Sequence, residues 1–158
     1  MIEATVARWH QHLRAELPGG LDELLHDDVV FFSPVVFTPQ RGKEITKRDL
    51  EAAGATLGAD PKGPPRSSEN PDADDSSGGR RGFRYVTEVL SGNHAVLEFE
   101  TEMGGKYING IDLITCDDDG KIIEFKVMIR PLQAVNVLHD AMRAMLEQLP
   151  PVLSTPES

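Results

Sequence analysis

Two carboxylates held close enough to share a proton split into an acid and a base. Glu98 and Asp112 are the pair in this chain whose setting allows it. They sit in the runs HAVLEFETEM (94–103) and KYINGIDLITC (106–116), with FRYVTEVL (83–90) before and KIIEFKVMIR (121–130) after. A one-residue slip between strands sets apolar against charged side chains on both faces. Matching like with like predicts Glu98 across from Asp112, Asp112 across from Glu124, Arg84 opposite Glu100 and Lys126 opposite Gly110. One face is then apolar (the odd positions, such as Leu97, Phe99, Phe125 and Val127) and the other carries carboxylates edged by Arg84, Lys126 and Arg130. Those cations pull carboxylate pKa values down. Two functions follow: a binding domain in which Lys126 or Arg130 answers the polar end of a small, partly apolar molecule, or an acid–base enzyme (isomerase, cyclase or dehydratase) using Asp112 and Glu98.

Other reactive residue types form no such group. His10 and His12 are two apart on a helix, point in different directions and cannot jointly hold a metal. His26, His94 and His139 are scattered, and Ser33 lacks the glycine pattern of a nucleophile elbow. The stretch Thr115–Gly120 approaches a calcium loop but lacks its first acid, and Lys126 stands where the closing glutamate belongs, so a turn is expected. Trp9 is either a core anchor or a platform for a ligand. No metal or cofactor is expected.

The bulk properties narrow the partners. A net charge of −10 leaves no basic stripe to neutralise nucleic-acid phosphates or an anionic membrane. A single cysteine, Cys116, excludes an intramolecular disulfide and suits a reducing cytoplasm. Neither a leader sequence nor an apolar run of membrane length is evident. At 158 residues and 39% hydrophobic content the chain suits one domain spanning 1–158 with its own core.

The elements that must position these residues are legible from periodicity. Ile2, Val6, Trp9, Leu13 and Leu17 predict a helix over 2–17, ended by Pro18-Gly19-Gly20, and Leu21, Leu24 and Leu25 a shorter one. Val29–Phe32 reads as a strand, bent or ended at Ser33-Pro34, with Val35–Phe37 a possible edge continuation. A helix is expected over 43–57 and another over 132–149. Residues 58–82, rich in Gly, Pro, Ser and Asp, are expected to be a disordered surface insertion, with a mobile lid or partner-binding segment as the alternative. The four β runs, separated by Ser91-Gly92-Asn93, Gly104-Gly105 and Asp117–Gly120, predict an antiparallel meander. The class is α+β, with helices gathered on one face of a curved antiparallel sheet.

The stretches LDELLHDDVVFFSPVVFTPQRGKE, HAVLEFETEMGG, NGIDLITCDDDGKIIEF and VMIRPL resemble a SnoaL-like protein of the nuclear transport factor 2-like superfamily. The resemblance implies a cone: a bent sheet around a pocket, capped by the first helices and often paired as a homodimer. Set against its ketosteroid isomerases, Asp112 stands at the oxyanion-hole aspartate, which an apolar pocket keeps protonated. Ser33 replaces the general base and Trp9 the oxyanion-hole tyrosine, which argues against that isomerase mechanism. Set against its limonene-epoxide hydrolases, Arg130 stands where an aspartate is needed. These comparisons turn the even face to the pocket, so that Trp9, Phe31, Ser33, Asp112, Lys126, Met128 and Arg130 meet the ligand. The apolar odd face is then expected to bury itself against a second subunit.

Overall fold

The computed structural model describes residues 1–57 and 82–148. The expected insertion at 58–82 lies outside the described residues except for Gly82. The first helix, α1 (Ile2–Leu13), buries Ile2, Val6 and Trp9, as its apolar period predicts. It ends a turn earlier than expected because Ala15 takes a φ of 56°, outside the helical region. Leu17 nevertheless packs against the core. The short α2 (Gly20–Leu24) runs straight into β1 (Leu25–Phe32), and Leu25 is the first residue of that strand. Val35–Phe37 does not continue it. Phe37 is fully exposed, and the edge is a two-residue β2 (Gln40–Arg41) paired with Val30 and Phe31. Helix α3 (Lys43–Thr56) follows, then β3 (Arg84–Ser91), β4 (His94–Met103), β5 (Lys106–Cys116), β6 (Ile122–Arg130) and α4 (Leu132–Gln148).

These strands form one six-stranded sheet in the order β2-β1-β6-β5-β4-β3. The expected meander is present, and the class is α+β. The sheet is mixed rather than wholly antiparallel, because β1 lies parallel to β6. A parallel neighbour cannot be joined by a hairpin, and here α3 and β3–β5 intervene between the two strands.

The register differs from the one that matching like with like predicts. Leu97, not Glu98, pairs with Asp112, and Val127, not Glu124, lies on its other side. Gly110 faces Ile129 rather than Lys126, whereas Arg84 does pair with Glu100. The turns decide this. Gly104 and Gly105 both have positive φ (56° and 74°), which makes a two-residue turn that closes on the pair Met103 and Lys106. On the other side, Asp117 Oδ1 accepts the backbone N–H groups of Asp119 and Lys121 at 2.9 Å, next to a bulge at Thr115/Cys116. Even positions of β5 therefore share a face with odd positions of β4 and β6.

That shared face is the inner one. It is buried by the chain's own helices instead of awaiting a second subunit, and it packs in two clusters. One joins α1, α2 and β1 to Ala95, Leu97, Ile114, Ile122 and Phe125. The other joins α4 to Phe99, Ile108 and the end of α3, through Ala134, Leu138 and Met142. Leu149, expected to extend the last helix, lies outside the described residues.

Candidate functional site

Between the two clusters is a cavity of about 440 Å³. The sheet supplies one side with Tyr85, Phe99, Asp112, Phe125 and Val127, and α1 contributes Trp9, His12 and Leu13. The C-terminal half of α3 closes another side with Leu50, Glu51, Ala53 and Leu57. Most of this lining is hydrocarbon or aromatic ring. Phe83 meets Tyr85 edge-on with centroids 5.1 Å apart, and Trp9 is tilted against Phe125 at 5.1 Å.

A chain of hydrogen bonds crosses three elements into this apolar setting. The Trp9 indole N–H donates to the Tyr85 hydroxyl oxygen at 2.9 Å, and that hydroxyl donates to Asp112 Oδ2 at 2.5 Å. Trp9 has no other polar side-chain atom and Tyr85 has one proton to give, so both side chains are committed. Asp112 Oδ1 has no hydrogen-bond partner among the described residues.

Asp112 is only 6% exposed. Burial pushes its carboxyl up to about 7, against the opposing pull of the Tyr85 hydroxyl. The Tyr85 phenol is held well above its ordinary value, first by burial and then by the Asp112 charge beside it. The bridging proton therefore stays on tyrosine, and near neutral pH Asp112 is divided between acid and carboxylate. His12 also lines the cavity, tilted against Trp9 at 5.5 Å, and burial lowers its pKa. No ring nitrogen of His12 has a hydrogen-bond partner among the described residues.

Of the residues singled out in the sequence, Trp9 and Asp112 meet here. The others lie elsewhere, and the register is the reason. Glu98 pairs with Ile111 on the outer face, where it accepts the Asn109 side-chain N–H at 3.0 Å. It shares no proton with Asp112. Lys126, Met128 and Arg130 are on that outer face too. The Lys126 ammonium sits 4.7 Å from the Phe32 ring centre, Met128 is 47% exposed, and Arg130 reaches Asn109 Oδ1 at 3.4 Å. Phe31 is buried in the core behind Phe125, and Ser33 Oγ accepts the Val35 N–H in the bend after β1. The face expected to line the pocket is thus the one away from the described helices. Tyr85 and His12 are the residues that sequence reasoning passes over. Tyr85 reads as one of the apolar odd positions, whereas the three-residue step from Trp9 to His12 places both on one side of α1.

Among the described residues, no group of three or more His, Cys, Asp or Glu side chains could hold a metal ion.

No protein-family model and no curated protein matches the chain. Among solved structures it is similar to a steroid delta-isomerase from Pseudomonas aeruginosa, with 30% identity and a TM-score of 0.74 over 93% of this chain and 92% of that one. It is also similar to an uncharacterized bacterial protein with a cystatin-like fold from Silicibacter pomeroyi, at 26% identity and TM-score 0.68, covering 89% and 83%. A nuclear transport factor 2-like protein of unknown function from Mesorhizobium loti shares the fold at 16% identity and TM-score 0.59, covering 82% and 91%. The strand order, the helices packed on the inner face and the 30% identity over nearly both full chains lead to one assignment: the chain belongs to the nuclear transport factor 2-like (SnoaL-like) superfamily.

Proposed function

We propose that the cavity binds one small, partly apolar molecule whose hydrogen-bonding oxygen meets Asp112. The supporting observation is the distribution of polarity: about 440 Å³ of mostly apolar lining with a buried carboxyl whose Oδ1 is unpartnered among the described residues. The polar end is answered by Asp112 and not by Lys126 or Arg130, which lie on the other face of the sheet. A neutral bicyclic ketone such as 2-decalone is the probe. Isothermal titration is expected to give saturable binding that weakens at least about tenfold, roughly 1.4 kcal/mol, in Asp112→Leu, which leaves no polar atom to meet the ketone oxygen. Equal affinity for the ketone and its parent hydrocarbon decalin, unaffected by that substitution, would count against a polar contact at Asp112.

One observation favours a second reading, an acid–base enzyme such as an isomerase, cyclase or dehydratase. A carboxyl held at about 7 can donate a proton or a hydrogen bond at neutral pH, which an ordinary aspartate cannot. The similarity to a steroid delta-isomerase supports it. Glu98 is not part of this version, since it faces away. Neither reading requires a cofactor or a metal.

The same reading takes residues 1–158 as one domain in the cytoplasm, in keeping with the net charge of −10 and the single cysteine. No helix among the described residues is long and apolar enough to cross a membrane. It also takes the protein as a homodimer through the sheet, now by the outer face, where Val89 (56% exposed) and Met128 lie beside the half-buried Val96, Ile111 and Leu113.

A further inference from the structure

We propose that His12 is the proton-accepting residue of the cavity, working across a bound enolisable ketone from Asp112. The proposal rests on the acid–base reading and supplies the base that reading lacks.

Among the described residues, four titratable side chains line the cavity: His12 from α1, Glu51 from α3, Tyr85 from β3 and Asp112 from β5. Tyr85 is committed, its proton to Asp112 and its oxygen to Trp9. Asp112 is the buried acid, suited to hold a carbonyl oxygen through Oδ1. Glu51 is exposed, so it must shed water before it can accept a proton from carbon. That leaves His12, half-buried against Trp9, with both ring nitrogens free of hydrogen bonds among the described residues. Its neighbour His10 points elsewhere, onto Glu88 at 2.5 Å.

Its position suits both halves of a proton transfer. Burial keeps the resting imidazole neutral. The ring also belongs to the last turn of α1, where the helix C-terminus favours a positive charge once a proton has arrived. In the reaction, His12 takes a proton from the carbon next to the carbonyl. The C–H electron pair becomes a new C=C bond, and the carbonyl π pair moves to the oxygen held by Asp112. The imidazolium returns its proton to the same carbon, or to the far end of the conjugated system if the substrate is unsaturated. Atoms and electrons balance with no co-reactant, and the net change is exchange of a hydrogen or migration of a double bond.

The test follows α-hydrogen exchange of 2-decalone in D₂O by proton NMR, with the full chain, while isothermal titration sets saturation. The wild type is expected to exchange faster than buffer. His12→Gln should lose at least about a hundredfold of that rate with Kd changed less than about threefold. Against pH, the rising limb should belong to His12 and vanish in His12→Gln, and the falling limb should vanish in Asp112→Asn. His12→Ala should regain exchange on addition of imidazole, which a purely structural role would not produce, and it provides a second variant should His12→Gln fail to fold. Wild-type exchange in His12→Gln overturns the assignment to His12 and leaves the acid–base reading standing. Bound ketone that the wild type does not exchange overturns both. A ketone that does not bind at millimolar concentration overturns the binding reading and what rests on it.

Discussion

Asp112 ties the stability of the protein to pH in a direction opposite to most surface carboxylates. In the unfolded chain an aspartate loses its proton near pH 3.9, whereas the folded protein holds that of Asp112 up to about 7. Below about pH 4 both states are protonated and the residue contributes nothing to the pH slope. Between the two values the folded state binds the extra proton, so raising the pH removes stability, and the loss is complete above the folded value. Asparagine keeps the shape and still accepts from Tyr85. Asp112→Asn should therefore gain on the wild type as pH climbs from about 4 to about 7, by up to about 4 kcal/mol, and level off above that. Chemical denaturation at a series of pH values checks this, and parallel curves would contradict the burial of a proton at this site. At this scale the sequence leads to Asp112 and Trp9 through family resemblance. Matching charge to charge pairs Asp112 with Glu98, which the fold does not. Tyr85 escapes notice because a tyrosine among apolar positions reads as packing, and only the fold brings its hydroxyl to a carboxylate 27 residues away.

The elements that hold these residues depend on one glycine without a turn. Gly110 lies in the middle of β5, where an added Cβ would stand 2.4 Å from the Phe99 ring, 2.7 Å from the Met128 carbonyl oxygen and 2.8 Å from Ile129 Cδ1. The backbone oxygen cannot rotate away. Gly110→Ala should destabilise the protein by about 1–3 kcal/mol, as overpacking does, and should displace Phe99, which lines the cavity. Denaturant melts test the first expectation, and unchanged stability would mean that the strands part more easily than this geometry implies. The β runs themselves are legible because Val, Ile, Phe and Thr cluster between short Gly, Asn and Asp turns. The parallel seat of β1 is not, since nothing local in Leu25–Phe32 says which strand it will join. The end of α1 is obscured for a related reason: Leu17 keeps the apolar period after Ala15 has broken the helix.

At the scale of the whole molecule, the outer face of the sheet is the surface that the described helices leave uncovered. The inner face is packed by α1, α3 and α4, while Val86, Val89, Tyr107 and Met128 remain between 44% and 56% exposed on the strands. A homodimer through this face should appear in light scattering at micromolar concentration as about twice the 17.4 kDa monomer. Val89→Lys, placed in the centre of an apolar contact, should then return it to the monomer, because a buried unpaired ammonium is costly. A wild type that already scatters as a monomer would remove the dimer and leave the cavity untouched, since the two lie on opposite faces.

The turn Gly104-Gly105 has a consequence for how such a site can change. Side chains alternate along a strand, so the length of a hairpin loop is a parity setting for everything beyond it. With two residues in the loop, Asp112 faces the helices and Ile111 faces out. Insertion of one residue that β4 and β5 absorb as a slip would exchange them, giving the cavity an isoleucine and placing the aspartate in water, with every side chain of β5 unchanged. Among relatives sharing this architecture, loop length here would separate lineages that keep a buried acid from those that have lost it more sharply than identity at position 112.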